Sequence, residues 1–343
     1  MTGQEEQSLR DRKPLAVTMG EPAGIGPEIT LKAWAARQAE NLPAFFIVGD
    51  PSIYRAAADQ LGLIAPLVEI SSPAEAFSAF ATGLPVFPIV LPAKVNAGTL
   101  DPANASAVMQ SIDIAYDLAM SGQVSGIVTN PIHKRALYEA GLRVPGHTEY
   151  LANRTGGATP VMMLSCPGLR VVPVSVHDPL AKVASLLTIE MIAEKGIILA
   201  RALQNDMGIA RPRIAVAGLN PHAGEEGHIG REEIDIIAPA MRLIAEAEDV
   251  VLSGPLPPDT MFHAGARASY DAALCMYHDQ ALIPIKTIDF DRGVNTTLGL
   301  PLVRTSPDHG TALDIAGRGL ANPLSLIEAI KFADTIACNR ARV

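Results

Sequence analysis

Short apolar runs alternate with amphipathic stretches along the first part of the chain. The run 15–19 predicts a strand, and the glycine-rich turn after it leads into a helix that begins near Pro27, a residue suited to a first helical turn. A strand at 44–48 and a helix at 52–61 follow. Repeated alternation of this kind predicts an α/β fold whose largely parallel sheet is covered by helices on both faces.

The rest of the chain continues this pattern with two local departures. The segment 62–100 is β-leaning and rich in proline and glycine, and the neighbouring runs 160–165 and 170–176 predict a hairpin. The remaining predicted elements are strands at 125–129 and 213–219 and helices at 149–153, 104–121, 188–206, 231–247 and 323–338.

The stretch 273–286 stands out because a polar group, His278-Asp279-Gln280, interrupts its apolar run. This pattern predicts a buried strand that delivers polar side chains to its end or to a following turn, where open α/β folds place their chemistry. His177 and His222 also follow β-rich runs. Each histidine alone is more often a structural hydrogen-bonding residue, whereas three strand-end imidazoles together indicate a divalent-metal site with an open coordination position.

Composition and charge narrow the class of protein. The chain has 343 residues, enough for two domains, with 48% hydrophobic and 18% charged residues. A net charge of −9 argues against a general nucleic-acid binder. The three cysteines are scattered, so neither a disulfide framework nor a zinc ribbon is expected. Residues 1–13 predict a flexible polar tail without a signal peptide, and we expect a soluble, cytoplasmic protein without a membrane span.

In the last third of the chain, basic and amide side chains suggest an anion-binding site. Lys286, Asn295 and Arg304 are spread in and around a polar loop region, 289–297, between apolar runs. If they converge, they form the anion pocket that an acidic protein needs for a phosphorylated ligand. Residues of this kind otherwise form a solvated face.

Three further motifs admit a plain structural interpretation beside a functional one. His147 and Thr148 open a short helix that can receive a phosphate or carboxylate, although a plain helical turn explains them equally well. Asp279 can orient His278, act as a base, or make a structural hydrogen bond. The glycines of 20–26 match neither the dinucleotide fingerprint nor a P-loop, and a tight strand-to-helix turn is the favoured interpretation over direct ligand contact.

Taken together, these segments resemble the 4-hydroxythreonine-4-phosphate dehydrogenase family of pyridoxal phosphate biosynthesis. The resemblance covers nearly the whole chain beyond the tail. Asn130-Pro131 departs from it, because Gly-Pro or a similar pair is expected there. The matching segments are 20–28, Pro145-Gly-His-Thr-Glu149, 219–225, 276–280, 293–295, 298–301 and 304–312.

The resemblance implies an architecture. The stretch 309–323 also resembles the adenine-side loop of isocitrate and isopropylmalate dehydrogenases, which implies a two-domain α/β/α fold of that type with the active site in the interdomain cleft. Residues 1–128 plus 280–343 would form the cofactor-side domain, and residues 129–279 the metal, substrate and dimerisation domain. The family is homodimeric, with active sites shared between the two chains.

The resemblance also implies a reaction and its residues. The substrate would be 4-phosphooxy-L-threonine, oxidised at C3 with NAD or NADP and decarboxylated to 3-amino-2-oxopropyl phosphate. His177, His222 and His278 would bind one divalent ion, zinc, magnesium or cobalt. His147, Thr148, Lys286, Asn295 and Arg304 would bind substrate, and the implied catalytic residues are His278, Asp279 and Lys286. The implied cofactor-binding residues are His309, Gly310, Thr311, Asp314 and Asn322.

Two other functions are compatible with these residues. A dehydrogenase of 4-phospho-threonate or 4-phospho-erythronate in sugar-acid catabolism would have a closely similar site. A non-catalytic sensor could keep the anion and metal pockets, but an open Lewis-acid position would serve no purpose in it.

Overall fold

The computed structural model describes residues 12–142 and 146–342 of the chain. Residues 1–11 of the predicted tail, Pro145 of one family-like segment and Val343 lie outside the described residues. The chain divides into two compact units, residues 1–158 with 300–337 and residues 159–299 with 338–343.

Twelve strands and twelve α-helices form among the described residues and are numbered in chain order. The strands are β1 Leu15–Thr18, β2 Phe45–Gly49, β3 Leu67–Glu69, β4 Leu84–Pro88, β5 Gly126–Thr129, β6 Val161–Cys166, β7 Leu169–Pro173, β8 Arg213–Ala217, β9 Val251–Leu256, β10 Ala272–Cys275, β11 Val294–Leu298 and β12 Arg304–Pro307. The α-helices are α1 Gly26–Ala35, α2 Pro51–Leu61, α3 Ala76–Thr82, α4 Ala105–Met120, α5 Lys134–Glu139, α6 His147–Arg154, α7 Leu180–Leu186, α8 Ile189–Asn205, α9 Ala238–Ala247, α10 Ala264–Arg267, α11 His278–Ile288 and α12 Leu324–Arg340.

The first unit contains the parallel sheet that the alternating pattern predicts. Its strand order is β3-β4-β2-β1-β5-β12, and every recorded pairing between these strands is parallel. All residues of β1, β2 and β5 are buried, as expected for strands with both faces covered. The β-leaning segment 62–100 contains β3 and β4, but it also contains α3, because seven mostly apolar residues do not reveal their periodicity.

The second unit carries a mixed sheet in the order β11-β6-β7-β10-β8-β9. The predicted hairpin is confirmed: β6 and β7 pair antiparallel across a tight turn with Gly168 at φ +83°. β11 also pairs antiparallel with β6, whereas the pairs β7–β10, β10–β8 and β8–β9 are parallel. The sheet of this unit is therefore less uniformly parallel than the sequence pattern suggested.

The bounds of the two units differ from the predicted 1–128 plus 280–343 and 129–279. Pairing with β6 places β11 in the second unit. The first unit keeps α6 because Tyr116 donates to the carbonyl of Arg154 at 2.7 Å and Tyr150 to Asp113 at 2.5 Å. The roles assigned to the two domains, and the likeness of their arrangement to isocitrate dehydrogenase, stay predictions.

Among the described helices, none combines the length and apolar character that a membrane span needs.

Candidate active site

Three neighbouring parallel strands carry the predicted metal ligands beyond their carboxyl ends. β7, β10 and β8 lie side by side in the second unit. His177 follows the end of β7, His278 the end of β10 and His222 the end of β8. Carboxyl ends of adjacent parallel strands meet at one edge of the sheet, so the fold delivers all three histidines to the same edge.

His177 and His278 are brought together. Their ring centroids lie 6.2 Å apart with the planes tilted by 39°. Nδ1 of His278 lies 2.7 Å from Oδ1 of Asp279, a contact that orients the ring and leaves Nε2 for another partner. Asp279 therefore occupies the position of an orienting carboxylate. His278 is about one-third exposed, and Asp279 is largely exposed.

His222 is not brought into this pair. Its side chain is 71% exposed, and its Nδ1 lies 3.9 Å from Oε2 of Glu225. It lies in a short turn, 221–227, in which residues 222–226 all have positive φ. Left-handed backbone costs roughly 1–2 kcal/mol per non-glycine residue. Backbone strain of this kind persists where surrounding contacts enforce it, and it occurs often at functional sites.

The ring centroids of His177 and His278 lie 6.2 Å apart, within about 1 Å of the spacing expected for two imidazoles on one tetrahedral ion with zinc–nitrogen bonds of about 2.0–2.1 Å. Within residues 12–142 and 146–342, however, no group of three or more His, Cys, Asp or Glu side chains is arranged to hold a metal. The third predicted ligand, His222, is therefore not part of such a group among the described residues.

A separate polar group forms in the first unit around Arg304. Arg304 begins β12, is only 4% exposed, and donates from Nε and Nη2 to Oγ1 of Thr129 at 3.1 and 2.7 Å. Burial lowers the pKa of Arg304 to about 10, and the nearby carboxylate of Glu149 opposes that shift. The guanidinium therefore stays charged at neutral pH inside the protein. It is not part of a solvated face.

His147 lies in the electrostatic field of this guanidinium. Its Nε2 is buried and has no hydrogen-bond partner among the described residues. Burial, and after it the charge of Arg304, lower the pKa of His147 well below its ordinary value, so the ring is neutral at physiological pH. A neutral ring beside a buried cation, with an unpartnered nitrogen, suits an incoming anion. Thr148 is the next residue of α6 and is half-buried.

Two predicted substrate residues lie in the second unit and in regular structure. Lys286 is in the last turn of α11, with Nζ 5.7 Å from the centre of the Phe290 ring. Asn295 lies on β11, and its Oδ1 is buried without a hydrogen-bond partner among the described residues. The prediction of a polar loop over 289–297 is therefore wrong for residues 294–297. These residues belong to β11, which pairs with β6.

We expect the burial of His147 to show in the pH dependence of stability. A histidine whose folded pKa is depressed below 6.5 destabilises the folded state as pH falls through that value, because the unfolded chain binds a proton that the folded chain rejects. His147→Gln should therefore flatten the loss of unfolding free energy between about pH 7 and about pH 5, by up to about 1.4 kcal/mol per pH unit. Urea unfolding at several pH values measures this. The same loss of unfolding free energy with falling pH in the wild type and in His147→Gln would contradict this prediction.

The predicted cofactor loop is held in place by the first helix of its unit. Glu28 is 2% exposed and accepts hydrogen bonds from the amides of Gly319 and Ala321 at 3.2 and 2.9 Å. Lys32 donates to the carbonyls of the same two residues at 2.9 and 2.8 Å. The carbonyl of Thr311 accepts from the amide of Ile25 at 3.0 Å. These contacts fix both ends of the loop against α1 and the turn before it.

The other predicted cofactor residues occupy different parts of this loop. Asn322 accepts from the amide of Leu324 at 3.1 Å and so caps α12, which is a structural role. Nδ1 of His309 lies 3.0 Å from the carbonyl oxygen of Gly310. Asp314 is exposed.

A cavity of about 450 Å³ borders this loop at Gly317. Its walls are mostly apolar and come from the first glycine turn, α2 and the segment 91–97, with Asp50, Gln60 and Lys94 among its polar residues. Gln60 donates to the carbonyl of Gly317 at 2.9 Å. A largely apolar pocket of this size with a few polar groups is typical of small-ligand sites.

The glycine turn and Asn130 depend on each other. Gly20 has φ +71°, and a Cβ there would lie 2.7 Å from both Cβ of Asn130 and the carbonyl oxygen of Pro131. Asn130 is fully buried and donates to the carbonyl of Thr18 at 3.0 Å and to Oγ1 of Thr30 at 3.1 Å. The tight-turn interpretation therefore explains Gly20, and the departure from the expected Gly-Pro serves packing between β1, α1 and β5.

For several residues at these sites, no sequence pattern predicted a role. Thr129 and Glu149 surround Arg304, and only the pairing of β12 with β5 brings Thr129 near it. Gln280 lies inside the family-like segment 276–280, but the local sequence does not indicate which groups its side chain contacts. Glu233 carries no local signal at all, although it is only 4% exposed. A charged residue in an amphipathic stretch is ordinarily expected on the surface.

Comparison with known proteins gives one consistent result. The chain matches the family described as pyridoxal phosphate biosynthetic protein PdxA over residues 41–333. It is 51% identical to a 4-hydroxythreonine-4-phosphate dehydrogenase of Erythrobacter litoralis and 51% identical to one of Caulobacter vibrioides, each match covering 96% of this chain and 98% of the relative. The crystal structure of the enzyme of that name from Klebsiella pneumoniae has a TM-score of 0.84 and 39% identity, covering 95% of this chain and 99% of the other.

Proposed function

Since this chain belongs to the PdxA family of pyridoxal phosphate biosynthetic proteins, we propose that it is a 4-hydroxythreonine-4-phosphate dehydrogenase. The reaction would oxidise 4-phosphooxy-L-threonine at its C3 hydroxyl with NAD⁺ or NADP⁺. The 3-oxo acid would then lose CO2 and give 3-amino-2-oxopropyl phosphate. The named relatives do not favour the phospho-threonate or phospho-erythronate alternative.

The observation that supports this best is the buried anion site of the first unit. Arg304 provides a charged guanidinium that is almost completely buried, and His147 provides a nitrogen without a hydrogen-bond partner among the described residues. Buried polar groups are normally paired, so such an atom beside a buried cation suggests a ligand that supplies the missing contact. A phosphate group offers the required oxygens.

The chemistry divides among groups with different tasks. Oxidation sends a hydride from C3 to the nicotinamide and the hydroxyl proton to an acceptor, and decarboxylation leaves a carbanion that must take up a proton. A divalent ion held by His177, His278 and a third ligand would supply Lewis-acid polarisation of the hydroxyl and then of the ketone. Asp279 would hold the His278 ring in one orientation. Lys286 would supply a positive charge or a proton near the reacting atoms.

Binding of the phosphate remote from C3 would serve positioning. Arg304, His147 and Thr148 would hold that end of the substrate, and Asn295 and Lys286 stay predicted substrate-binding residues. Binding energy gained away from the reacting carbon can be used to orient it, which raises the rate of reaction.

The nicotinamide nucleotide would bind along the loop that carries His309, Gly310, Thr311 and Asp314. Contacts from Glu28 and Lys32 hold this loop in place, and a cavity large enough for part of a nucleotide borders it. Asn322 would act through the cap of α12 and so shape the end of the loop.

The test of the function is a comparison of substrates. We expect NAD(P)H to form with 4-phosphooxy-L-threonine, and to form at least about tenfold more slowly with 4-phospho-threonate, which lacks the amino group. Both reactions should be run with and without a chelator. Faster turnover of 4-phospho-threonate would overturn the proposal in favour of sugar-acid catabolism.

We also propose a homodimer with shared sites, in which His222 serves the site of the partner chain. His177 and His278 lie together in one chain while His222 is apart and exposed, so complementation should work between His222→Ala and His278→Ala. Half of randomly mixed dimers are heterodimers, and one of their two sites is complete, so about a quarter of wild-type activity should return. Inactive heterodimers of proven composition would place His222 in the site of its own chain.

A further inference from the structure

A network of buried hydrogen bonds extends beyond the ends of β7 and β10. Met276, the residue after β10, is held through both its carbonyl and its amide. The carbonyl of Met276 accepts from the amide and the hydroxyl of Ser175 at 3.2 and 3.1 Å. The amide of Met276 donates to Oε1 of Gln280 at 2.6 Å. Met276 lies two residues before His278, and its partner Ser175 lies two residues before His177.

Gln280 uses its other end to reach the next strand. Its Nε2 donates to the carbonyl of Gly218 at 2.8 Å, immediately after the end of β8. The side chain is 6% exposed and lies in the first turn of α11, two residues after His278. One amide group therefore ties the helix that begins with His278 to the ends of both β10 and β8.

Glu233 makes the corresponding contacts to the segment that leads to His222. Its Oε1 accepts from the amides of Leu219 and Asn220, each at 2.7 Å, and Oε2 accepts from Nδ2 of Asn220 at 3.0 Å. A Cβ on Gly224 would lie 2.6 Å from Oε2 of Glu233, so the turn packs directly against this carboxylate. Three donors on one buried carboxylate leave the segment little freedom.

We propose that Gln280 and Glu233 are positioning residues for the metal-binding histidines. Gln280 sets the spacing within the pair His177–His278 and ties it to the end of β8, and Glu233 holds the strained turn that presents His222. The inference rests on the proposed metal dependence. Its physical basis is that a buried amide or carboxylate left unpaired is costly, so each group enforces the geometry of its partners. Residues that orient metal ligands typically change metal affinity about tenfold to a hundredfold when substituted.

The experiment titrates the metal-free protein with cobalt(II) and follows both affinity and the absorption spectrum of the bound ion. Gln280→Met keeps the length of the side chain and removes both hydrogen bonds. We expect it to weaken cobalt binding about tenfold to a hundredfold and to change the spectrum. Gln204→Met is the matched control, because Gln204 lies in the same unit and donates only an exposed bond to Asp249 at 3.3 Å. Equal loss in both variants, or wild-type affinity and spectrum in Gln280→Met, would overturn the inference.

A second readout does not require the metal. The amide of Met276 should exchange with solvent at least about tenfold faster in metal-free Gln280→Met, because its acceptor is gone, and the ring NMR signals of His278 should shift. Glu233→Gln should shift the ring signals of His222 and leave those of His278 in place. If the wild-type protein binds no cobalt, the metal proposal fails, while these metal-free signals still decide the role of Gln280. Unchanged amide exchange of Met276 and unchanged ring signals of His278 would refute the positioning role of Gln280.

Discussion

Arg304→Ala is expected to lower kcat/KM for the phosphorylated substrate about tenfold to a hundredfold. The guanidinium is buried and charged, and a hydrogen bond from a charged group contributes roughly 1.5–3 kcal/mol, with about 1.4 kcal/mol per decade of rate. Long-range attraction cannot compensate for this loss, because the protein carries a net charge of −9 and the proposed substrate is an anion. Steady-state kinetics measures the effect.

The control for Arg304 is the identity of the substrate. A phosphate-free analogue already lacks the contact, so Arg304→Ala should affect its turnover far less. Arg304→Lys keeps the charge but loses the planar donor pair, and it should recover only part of the rate. Arg170→Ala removes a second, half-buried arginine that donates to the carbonyl of Asp271 at 3.2 Å, and it should leave phosphate discrimination intact. Equal losses on both substrates would assign Arg304 to the carboxylate or to packing.

Loss of the proposed metal ligands is expected to have the largest effect of all. A chelator should abolish turnover, and zinc, cobalt or magnesium should restore it. His177→Ala or His278→Ala should reduce kcat at least about a thousandfold, which corresponds to about 4 kcal/mol of transition-state stabilisation, a size typical of a Lewis-acid ion. Metal content after dialysis should fall in parallel with the rate.

The matched control for this prediction is His263, an exposed histidine that caps α10 through Nδ1 at 3.3 Å from the amide of Ala266. His263→Asn keeps a capping side chain and should retain both metal and rate. His222→Ala tests the third ligand separately. If that variant keeps both metal content and rate, the assignment of His222 is wrong.

Much of the fold was accessible from the sequence because its signals are local. Apolar runs bounded by turns marked β1, β2 and β5, and helical periodicity marked α4 and α8 close to their observed bounds. The placement of the three histidines after strands is equally local, since each lies within five residues of the end of its strand. The family is also evident from the sequence, because its motifs are long contiguous runs of residues.

The tertiary structure alone decided which of these residues meet. His177 and His278 lie far apart in sequence, and their contact depends on β7 and β10 being neighbours in the sheet. Arg304 is buried against Thr129 because β12 pairs with β5, and β11 belongs to the second unit because it pairs with β6. Hydrophobic periodicity records which face of an element is buried, but strand order and register depend on packing between distant segments. For that reason the sequence identified the candidate groups, while their pairing, burial and shifted pKa values followed only from the assembled sheets.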